Sequence, residues 1–170
     1  MSTGVEVRPV ADADDARIVA ELVWEFFDFL RVRYPEQHAL IDDYLIDQDV
    51  AGELARLETD LAPAGGACLL GFADGAPAGT LMMKRVTPGL CEMNRMYVRP
   101  AARRRGLGRA LAEALFDAAR AKGFREMRLN ALDRHVEALP LYAALGFGPD
   151  PEPTEYARTH PGVISLRRTL

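Results

Sequence analysis

Arg103-Arg104-Arg105-Gly106-Leu107-Gly108-Arg109 is the stretch that decides the fold, because it joins an extended run to a helix through a glycine turn. The run before it, residues 90–98, ends at Arg99-Pro100, and residues 110–122 after it are rich in Ala and Leu. Gly123 follows as a typical helix stop. The first N–H groups of a helix have no partner within the helix and carry partial positive charge. With glycines that allow close approach and arginines that grip phosphate, the stretch predicts a pyrophosphate site.

Two common phosphate-binding loops do not fit this stretch. A Walker loop needs Lys followed by Ser or Thr after its last glycine, whereas Arg109-Ala110 follow here. A Rossmann fingerprint needs a third glycine where Leu111 stands. A solvated basic patch or a nucleic-acid contact is the alternative for residues 103–105. The net charge of −4 and the lack of aromatic residues within the basic run disfavour nucleic acid.

Hydrophobic periodicity and turn residues predict the remaining elements. The predicted strands cover residues 5–8, 67–73, 78–86, 90–98, 127–132 and 163–166, with a further one at 155–156. One predicted helix begins after an Asp12 or Asp14 cap and ends before Pro35. The other predicted helices cover residues 50–61, with an Asp47 or Asp49 cap, 107–122 and 136–145. Since residues 107–122 join two strands that should lie parallel, we expect a right-handed crossover there. The order predicts an α/β (α+β) fold: a mixed, mostly antiparallel sheet of six to seven strands with helices on both faces.

Length and composition predict one soluble domain over residues 1–170. No apolar run approaches the ~20 residues that cross a bilayer, and the first four residues lack signal-peptide features, so we expect a cytoplasmic protein without membrane contact. Cys68 and Cys91 are predicted to be buried free thiols, and the three scattered histidines predict no metal site. Of the 25 Asp and Glu residues, 16 lie in residues 1–85, whereas 14 of the 21 Lys and Arg residues lie in residues 86–170. The basic half suits a polyanionic ligand; the acidic half suits a cationic partner, or merely reflects surface helices of different charge.

The pattern Arg103-x-x-Gly106-x-Gly108 resembles the acetyl-CoA loop of the GCN5-related N-acetyltransferases (GNAT), which have Gln or Arg, two residues, Gly, one residue, then Gly or Ala. The segment Ala138-x-x-x-Tyr142-x-x-x-Gly146-Phe147 is similar to a second segment of that family. The element order also matches, so the resemblance spans nearly the whole chain and is strongest over residues 91–147. It implies the GNAT fold and an acetyl-CoA-dependent N-acetyltransferase without a metal, in which a primary amine attacks the thioester directly in a ternary complex. The alternative is a non-catalytic acyl-CoA-binding sensor or scaffold module.

The resemblance also assigns residues to the co-substrate. The strand edge at Met96, Tyr97 and Val98, beside a splayed gap before the next strand, is expected to bind the pantetheine amides through its backbone. Asn130 is expected to contact the cofactor, and a strand-end cap is its alternative role. The full predicted cofactor-binding set is Met96, Tyr97, Val98, Arg103, Arg104, Arg105, Gly106, Leu107, Gly108, Arg109, Asn130 and Tyr142.

Two residues are expected to donate or accept protons in the reaction. By resemblance, the Tyr142 hydroxyl points at the coenzyme A sulfur, where a phenol can protonate or hydrogen-bond the departing thiolate. The alternative for Tyr142 is a core aromatic. By resemblance, Glu92 takes a proton from the acceptor amine through water, because a protonated amine cannot attack. Pairing with an arginine such as Arg95, or substrate binding, is the alternative for Glu92.

The sequence leaves open whether the acceptor amine belongs to a small molecule, a peptide or a protein. Asp42, Asp43, Asp47 and Asp49 lie between the first two predicted helices, where similar enzymes build the acceptor wall. They favour a cationic or polyamine acceptor. The oligomeric state is open as well, since many relatives pair and residues 152–170 can serve as a homodimer contact.

Overall fold

The computed structural model describes residues 4–170, which contain seven strands and six helices. The strands are β1 (Val5–Pro9), β2 (Ala67–Ala73), β3 (Ala76–Thr87), β4 (Leu90–Val98), β5 (Glu126–Leu132), β6 (Gly148–Pro149) and β7 (Val163–Thr169). The helices are α1 (Ala13–Arg33), α2 (His38–Asp47), α3 (Val50–Asp60), α4 (Leu107–Ala121), α5 (Leu139–Ala144) and α6 (Glu155–Thr159). The strands form one sheet in the order β1-β2-β3-β4-β5-β7-β6, in which only β4 and β5 run parallel. The predicted mixed, mostly antiparallel sheet is confirmed.

Helices cover both faces of this sheet, as predicted. α1 packs with α3 on one face, because its apolar residues recur every three or four positions and form one buried stripe. α4 buries Leu107, Leu111 and Leu115 on the other face. Burying a side chain of this size contributes roughly 1.5–3 kcal/mol relative to leaving it exposed. The two hydrophobic clusters therefore hold β4, in the middle of the sheet, from both sides.

The start of α1 is capped as the sequence predicts. Asp12 accepts a hydrogen bond from the Asp15 N–H at 2.8 Å, and α1 ends at Arg33, before Pro35. Arg8 pairs with the Asp15 carboxylate, which ties β1 to α1 and holds the pKa of Asp15 below its usual range.

The gap between β4 and β5 is the feature that positions the site. Only residues 90–92 of β4 pair with residues 126–128 of β5, and the two strands then diverge. Against β3, Tyr97 pairs with Thr80 whereas Asn94 pairs with Met82, so β4 carries one extra residue there. Such a bulge bends its strand. The bend and the divergence together open the sheet at the end of β4, as the predicted splayed gap requires.

The structure differs from the predicted elements in four places, one of which is β6 at residues 148–149, which was not predicted. Residues 38–47 form α2, which was missed because Ile41 is its one buried residue and its apolar pattern is weak. Residues 155–156 belong to α6 and not to a strand, since Thr154 caps a helix by accepting from the Ala157 N–H at 3.1 Å. α5 is shorter than the predicted helix at 136–145, although Pro140 does lie in its first turn.

The predicted side-chain cap of α3 does not form. Asp49 precedes α3, but its side chain makes no capping hydrogen bond and its φ is +46°. The carboxylate pairs with Arg56 at 3.3 Å instead.

Cys68 and Cys91 are buried free thiols, as predicted, and burial raises the pKa of each to about 12. Over residues 4–170, no helix has both the length and the apolar character needed to cross a bilayer. The signal-peptide expectation rests largely on Met1, Ser2 and Thr3, which lie outside the described residues.

Candidate active site

A cleft of about 590 Å³ lies where β4 leaves β5, in front of the start of α4. Its walls come from β4, the glycine turn, α1 and α5. Ten of the twelve residues predicted to bind the cofactor line it: Met96, Tyr97, Val98, Arg103, Arg104, Gly106, Leu107, Gly108, Arg109 and Tyr142. Arg105 and Asn130 do not. The sequence motif and the strand edge therefore meet in one depression, and binding by these residues stays a prediction.

The glycine turn has the backbone that a phosphate loop needs. Gly106 has a φ of +84° directly before α4, a conformation that glycine adopts without strain. At Gly108, a Cβ would lie 3.2 Å from Leu141 Cδ2 and 3.4 Å from Met96 Cε. A side chain there would fill the cleft beside the unpaired N–H groups of the first turn of α4. The cradle therefore fits a pyrophosphate.

The four arginines of the stretch have different surroundings. Arg103 Nε donates to the Val98 carbonyl at 3.0 Å, and its guanidinium lies 4.9 Å from the centre of the Phe29 ring. Arg104 and Arg109 line the cleft. Arg105 donates from two nitrogens to the two Asp74 oxygens, both at 2.8 Å, and therefore turns to the β2–β3 hairpin.

A small cavity of about 90 Å³ adjoins the cleft, between α1, α2 and the diverging strands. Phe26, Met96, His135 and Tyr142 line both spaces. A molecule in the cleft and one in the small cavity would therefore meet at these four side chains.

Tyr142 is 7% exposed and packs against Phe147 with 6.2 Å between ring centres. Among the described residues, its hydroxyl has no hydrogen-bond partner. Burial raises the pKa of Tyr142 above its usual value of 10.0. The hydroxyl therefore stays protonated at neutral pH and is available as a donor.

His135 was missed as a site residue, because the histidines were considered only as metal ligands. Its ring lies 6.2 Å from that of Phe26 and 6.1 Å from that of Tyr34, between ring centres. Burial lowers the pKa of His135 below 6.5, so the imidazole is largely neutral at pH 7. The available signal was its position, three residues before Ala138, where the segment that resembles the family begins.

Glu92 lies away from both spaces. Its Oε1 accepts from Arg128 Nε at 3.0 Å, and its Oε2 lies 3.3 Å from Lys84 Nζ. This geometry favours the ion-pairing alternative, with Arg128 in place of Arg95. Arg95 pairs with Glu53 at 3.3 Å. The base role of Glu92 stays a prediction that these contacts do not support.

Asn130 lines the small cavity and not the cleft. Its Oδ1 accepts from Ser165 Oγ at 2.7 Å and from Thr154 Oγ1 at 3.1 Å, so it joins β5, β7 and the start of α6. Those bonds fit a structural role, and cofactor contact by Asn130 stays a prediction.

The acidic residues expected at the acceptor wall contact other side chains and do not line the small cavity. Asp42 pairs with Arg31, and Asp43 accepts from the Tyr156 hydroxyl at 3.1 Å. The other two, Asp47 and Asp49, contact Gln48 and Arg56. None of the four lines the small cavity. Within residues 4–170, no group of His, Cys, Asp and Glu could hold a metal ion.

Comparison with known proteins agrees with this architecture. The family model described as "Acetyltransferase (GNAT) family" matches residues 17–147. An uncharacterized N-acetyltransferase of Schizosaccharomyces pombe is 37% identical over 82 residues, which are 47% of this chain and 48% of that protein, so the chain spans about half of that relative's length.

Two solved structures share the fold. An N-acetyltransferase of Thermoplasma acidophilum in complex with coenzyme A has a TM-score of 0.71 and 17% identity, covering 98% of this chain and 99% of that one. An acetyltransferase of Streptococcus agalactiae has a TM-score of 0.73 and 16% identity over the same shares of the two chains.

Proposed function

Because this chain belongs to the acetyltransferase (GNAT) family, we propose that it moves an acetyl group from acetyl-CoA to a primary amine, by direct attack in a ternary complex. The observation that carries the proposal is the pair of adjoining spaces that share Tyr142 and His135. Two substrates held side by side react without a covalent enzyme intermediate. The high pKa of the two buried thiols also disfavours an acyl-cysteine route.

The cleft would hold the donor. The first-turn N–H groups of α4, together with Arg103, Arg104 and Arg109, supply hydrogen bonds and positive charge for the pyrophosphate. The edge of β4 at residues 96–98, freed by the divergence from β5, offers backbone groups to the amides of the pantetheine arm. When bound, acetyl-CoA supplies the activated thioester.

The reaction joins the amine nitrogen to the acetyl carbonyl carbon and breaks the bond from that carbon to sulfur. The departing thiolate takes a proton or a hydrogen bond from the Tyr142 hydroxyl, which has no competing partner among the described residues. The amine attacks in its neutral form, and its nitrogen then loses one proton as the neutral amide forms.

His135 is a stronger candidate than Glu92 for accepting that proton. It is neutral at pH 7, has no side-chain hydrogen bond within the described part of the chain, and lines both spaces. Glu92 is already bound to two cations and lines neither space. We therefore assign the base to His135, with Glu92 as the alternative predicted from the sequence.

The test is to mix the protein with acetyl-CoA and a broad panel of primary amines and to follow free thiol. We expect acceptor-dependent thiol release and an acceptor heavier by one acetyl group. A non-catalytic acyl-CoA-binding module would instead be stabilised against heat by acetyl-CoA while no amine in the panel is consumed. That result would refute the proposed function.

A further inference from the structure

The small cavity offers no anion to an ammonium group. Among the described residues that line it there is no Asp or Glu, and its walls are mainly apolar and aromatic, with Phe26, Phe27, Leu30, Ile41 and Tyr156 among them. Taking an ammonium ion out of water into such walls without a counter-ion is costly. A polyamine, which brings two or more ammonium groups, is therefore a poor match for this cavity.

The cavity offers no free cation to a carboxylate either. Arg95 is the one Lys or Arg among the lining residues, and its side chain is 1% exposed. Its guanidinium lies 3.3 Å from the Glu53 carboxylate and donates to the Tyr44 hydroxyl at 2.7 Å. The charge of Arg95 is thus compensated by Glu53, and a substrate carboxylate would enter without a partner.

Asn94 is a lining residue of the cavity whose whole side-chain amide lacks a hydrogen-bond partner among the described residues. It lies on the bulged part of β4, and both its Oδ1 and its Nδ2 are buried without a hydrogen bond to any described residue. Buried polar groups are nearly always satisfied in native proteins. A side-chain amide offers one acceptor and one donor face, and a second amide matches both.

The volume limits the apolar part of the substrate. At about 90 Å³ the cavity is smaller than the engineered cavity of about 150 Å³ that holds a benzene ring in another protein. An isopropyl or isobutyl group suits this space better than a large aromatic ring.

We propose that the acceptor is a small α-amino amide with a short apolar side chain, whose amide group hydrogen-bonds to Asn94. This inference rests on the proposed function and names the substrate of the same site. The apolar side chain lies among the aromatic walls, and the amine lies at the wall shared with the cleft, by His135 and Tyr142.

The low pKa of an α-amino group also favours an α-amino amide as the acceptor. An α-amino group has a pKa of about 8, so roughly a quarter is unprotonated at pH 7.5, whereas an alkylamine with a pKa of about 10.4 is unprotonated to roughly one part in a thousand. A cavity without a carboxylate selects the neutral form. An α-amino amide therefore provides far more of the reactive species than a polyamine or a lysine side chain.

The test compares four amines of matched size: leucinamide, leucine, 3-methylbutylamine and 1,4-diaminobutane. Calorimetry measures their binding to the protein saturated with coenzyme A, and thiol release measures kcat/KM with acetyl-CoA. We expect leucinamide to exceed the other three by at least about tenfold in both measurements, with every value, here and for the variants, calculated for the unprotonated amine. A leucine-initiated tripeptide amide, run in parallel, distinguishes a peptide N-terminus from a free amino amide as the source of the same chemistry.

Two variants examine the role of Asn94. Asn94→Leu, of similar size, should bring leucinamide to within about twofold of 3-methylbutylamine when both are compared as unprotonated amines. Asn94→Asp should raise the affinity for 1,4-diaminobutane. Gln48→Leu, which removes a side-chain amide outside the small cavity, is the matched control and should keep the wild-type ratios.

The inference is overturned if wild-type protein prefers leucine or 1,4-diaminobutane, or if Asn94→Leu keeps the preference for leucinamide. The wild-type ratios need no variant, so a variant that fails to fold does not remove the test. Thiol release with another preferred amine would overturn the inference and leave the proposed function standing. Binding of leucinamide without thiol release from any amine would refute the proposed function and the acceptor role with it, and would leave only a binding site for the amide.

Discussion

Tyr142 on α5 and His135 in the loop before it both line the cleft and the small cavity. Tyr142 is a buried phenol whose pKa is raised, and His135 is a half-buried imidazole whose pKa is lowered, in both cases chiefly by loss of water contact. At neutral pH one is a proton donor and the other a proton acceptor. Opposite shifts of two neighbouring groups are the arrangement that general acid–base chemistry requires.

Tyr142→Phe should lower kcat by about 10²-fold or more, because it removes the proton donor and leaves the ring in place. The dissociation constant of coenzyme A should change less than about threefold, since the hydroxyl contributes little to holding the phosphates. Steady-state kinetics and calorimetry give the two numbers. A large loss of affinity with unchanged kcat would make Tyr142 a binding residue only.

His135→Gln should lower kcat by about 10²-fold and change the pH profile. In the wild type, activity should fall as the pH drops through the lowered pKa of His135, below 6.5, because the protonated ring cannot accept a proton. This acidic limb should disappear in the variant.

The charged groups that act on His135 are Glu137, Arg103 and Arg33. Of these, Glu137 favours the protonated ring and the two arginines oppose it, so Glu137→Gln should move the acidic limb to lower pH. His38→Gln, outside both spaces, is the control. An unchanged profile in His135→Gln would remove His135 from the proton path.

Glu92→Gln should leave kcat within about threefold of the wild type but destabilise the fold. The substitution removes a buried negative charge next to Arg128 and Lys84, and leaving their charges without that partner should cost about 1–3 kcal/mol of unfolding free energy. Chemical denaturation measures the loss. If kcat falls by 10²-fold while stability stays the same, Glu92 is the base after all.

Arg104→Ala and Arg105→Ala form a matched pair of neighbouring arginines. Arg104 lines the cleft, so its loss should weaken coenzyme A binding about fivefold, and less at high salt because phosphate contacts are screened. Arg105 is bound to Asp74, so its loss should leave the affinity nearly unchanged. Equal losses in both variants would mean that Arg105 turns to the phosphates when the ligand binds.

Gly108→Glu should abolish measurable coenzyme A binding while the protein still folds. The new side chain would start 3.2 Å from Leu141 and would place a carboxylate where the pyrophosphate is expected. Gly108→Ala should weaken binding less, since a single methyl group needs only a small shift of the Leu141 side chain. Calorimetry measures both, and wild-type affinity in Gly108→Glu would refute the cradle.

Much of the fold and most of the residues that line the cleft could be predicted because they depend on local chemistry. A glycine with positive φ, a proline that ends a helix and an Asp that caps one act within a few residues of their position. The element order and the crossover between β4 and β5 follow from those local signals and from periodicity. α2 and α6 were not predicted because short helices with few buried residues show little hydrophobic periodicity.

By itself, then, the sequence determined the glycine turn, the order of the strands β1 to β5 with α1, α3 and α4, and the phenol at Tyr142. Only the tertiary structure decided which side chains meet: Glu92 with Arg128, Arg105 with Asp74, and His135 with the wall of both spaces. The reason is that burial and ion pairing depend on atoms far apart in the chain. Their distances are set when β4 bends away from β5 and α1 and α2 close over the gap.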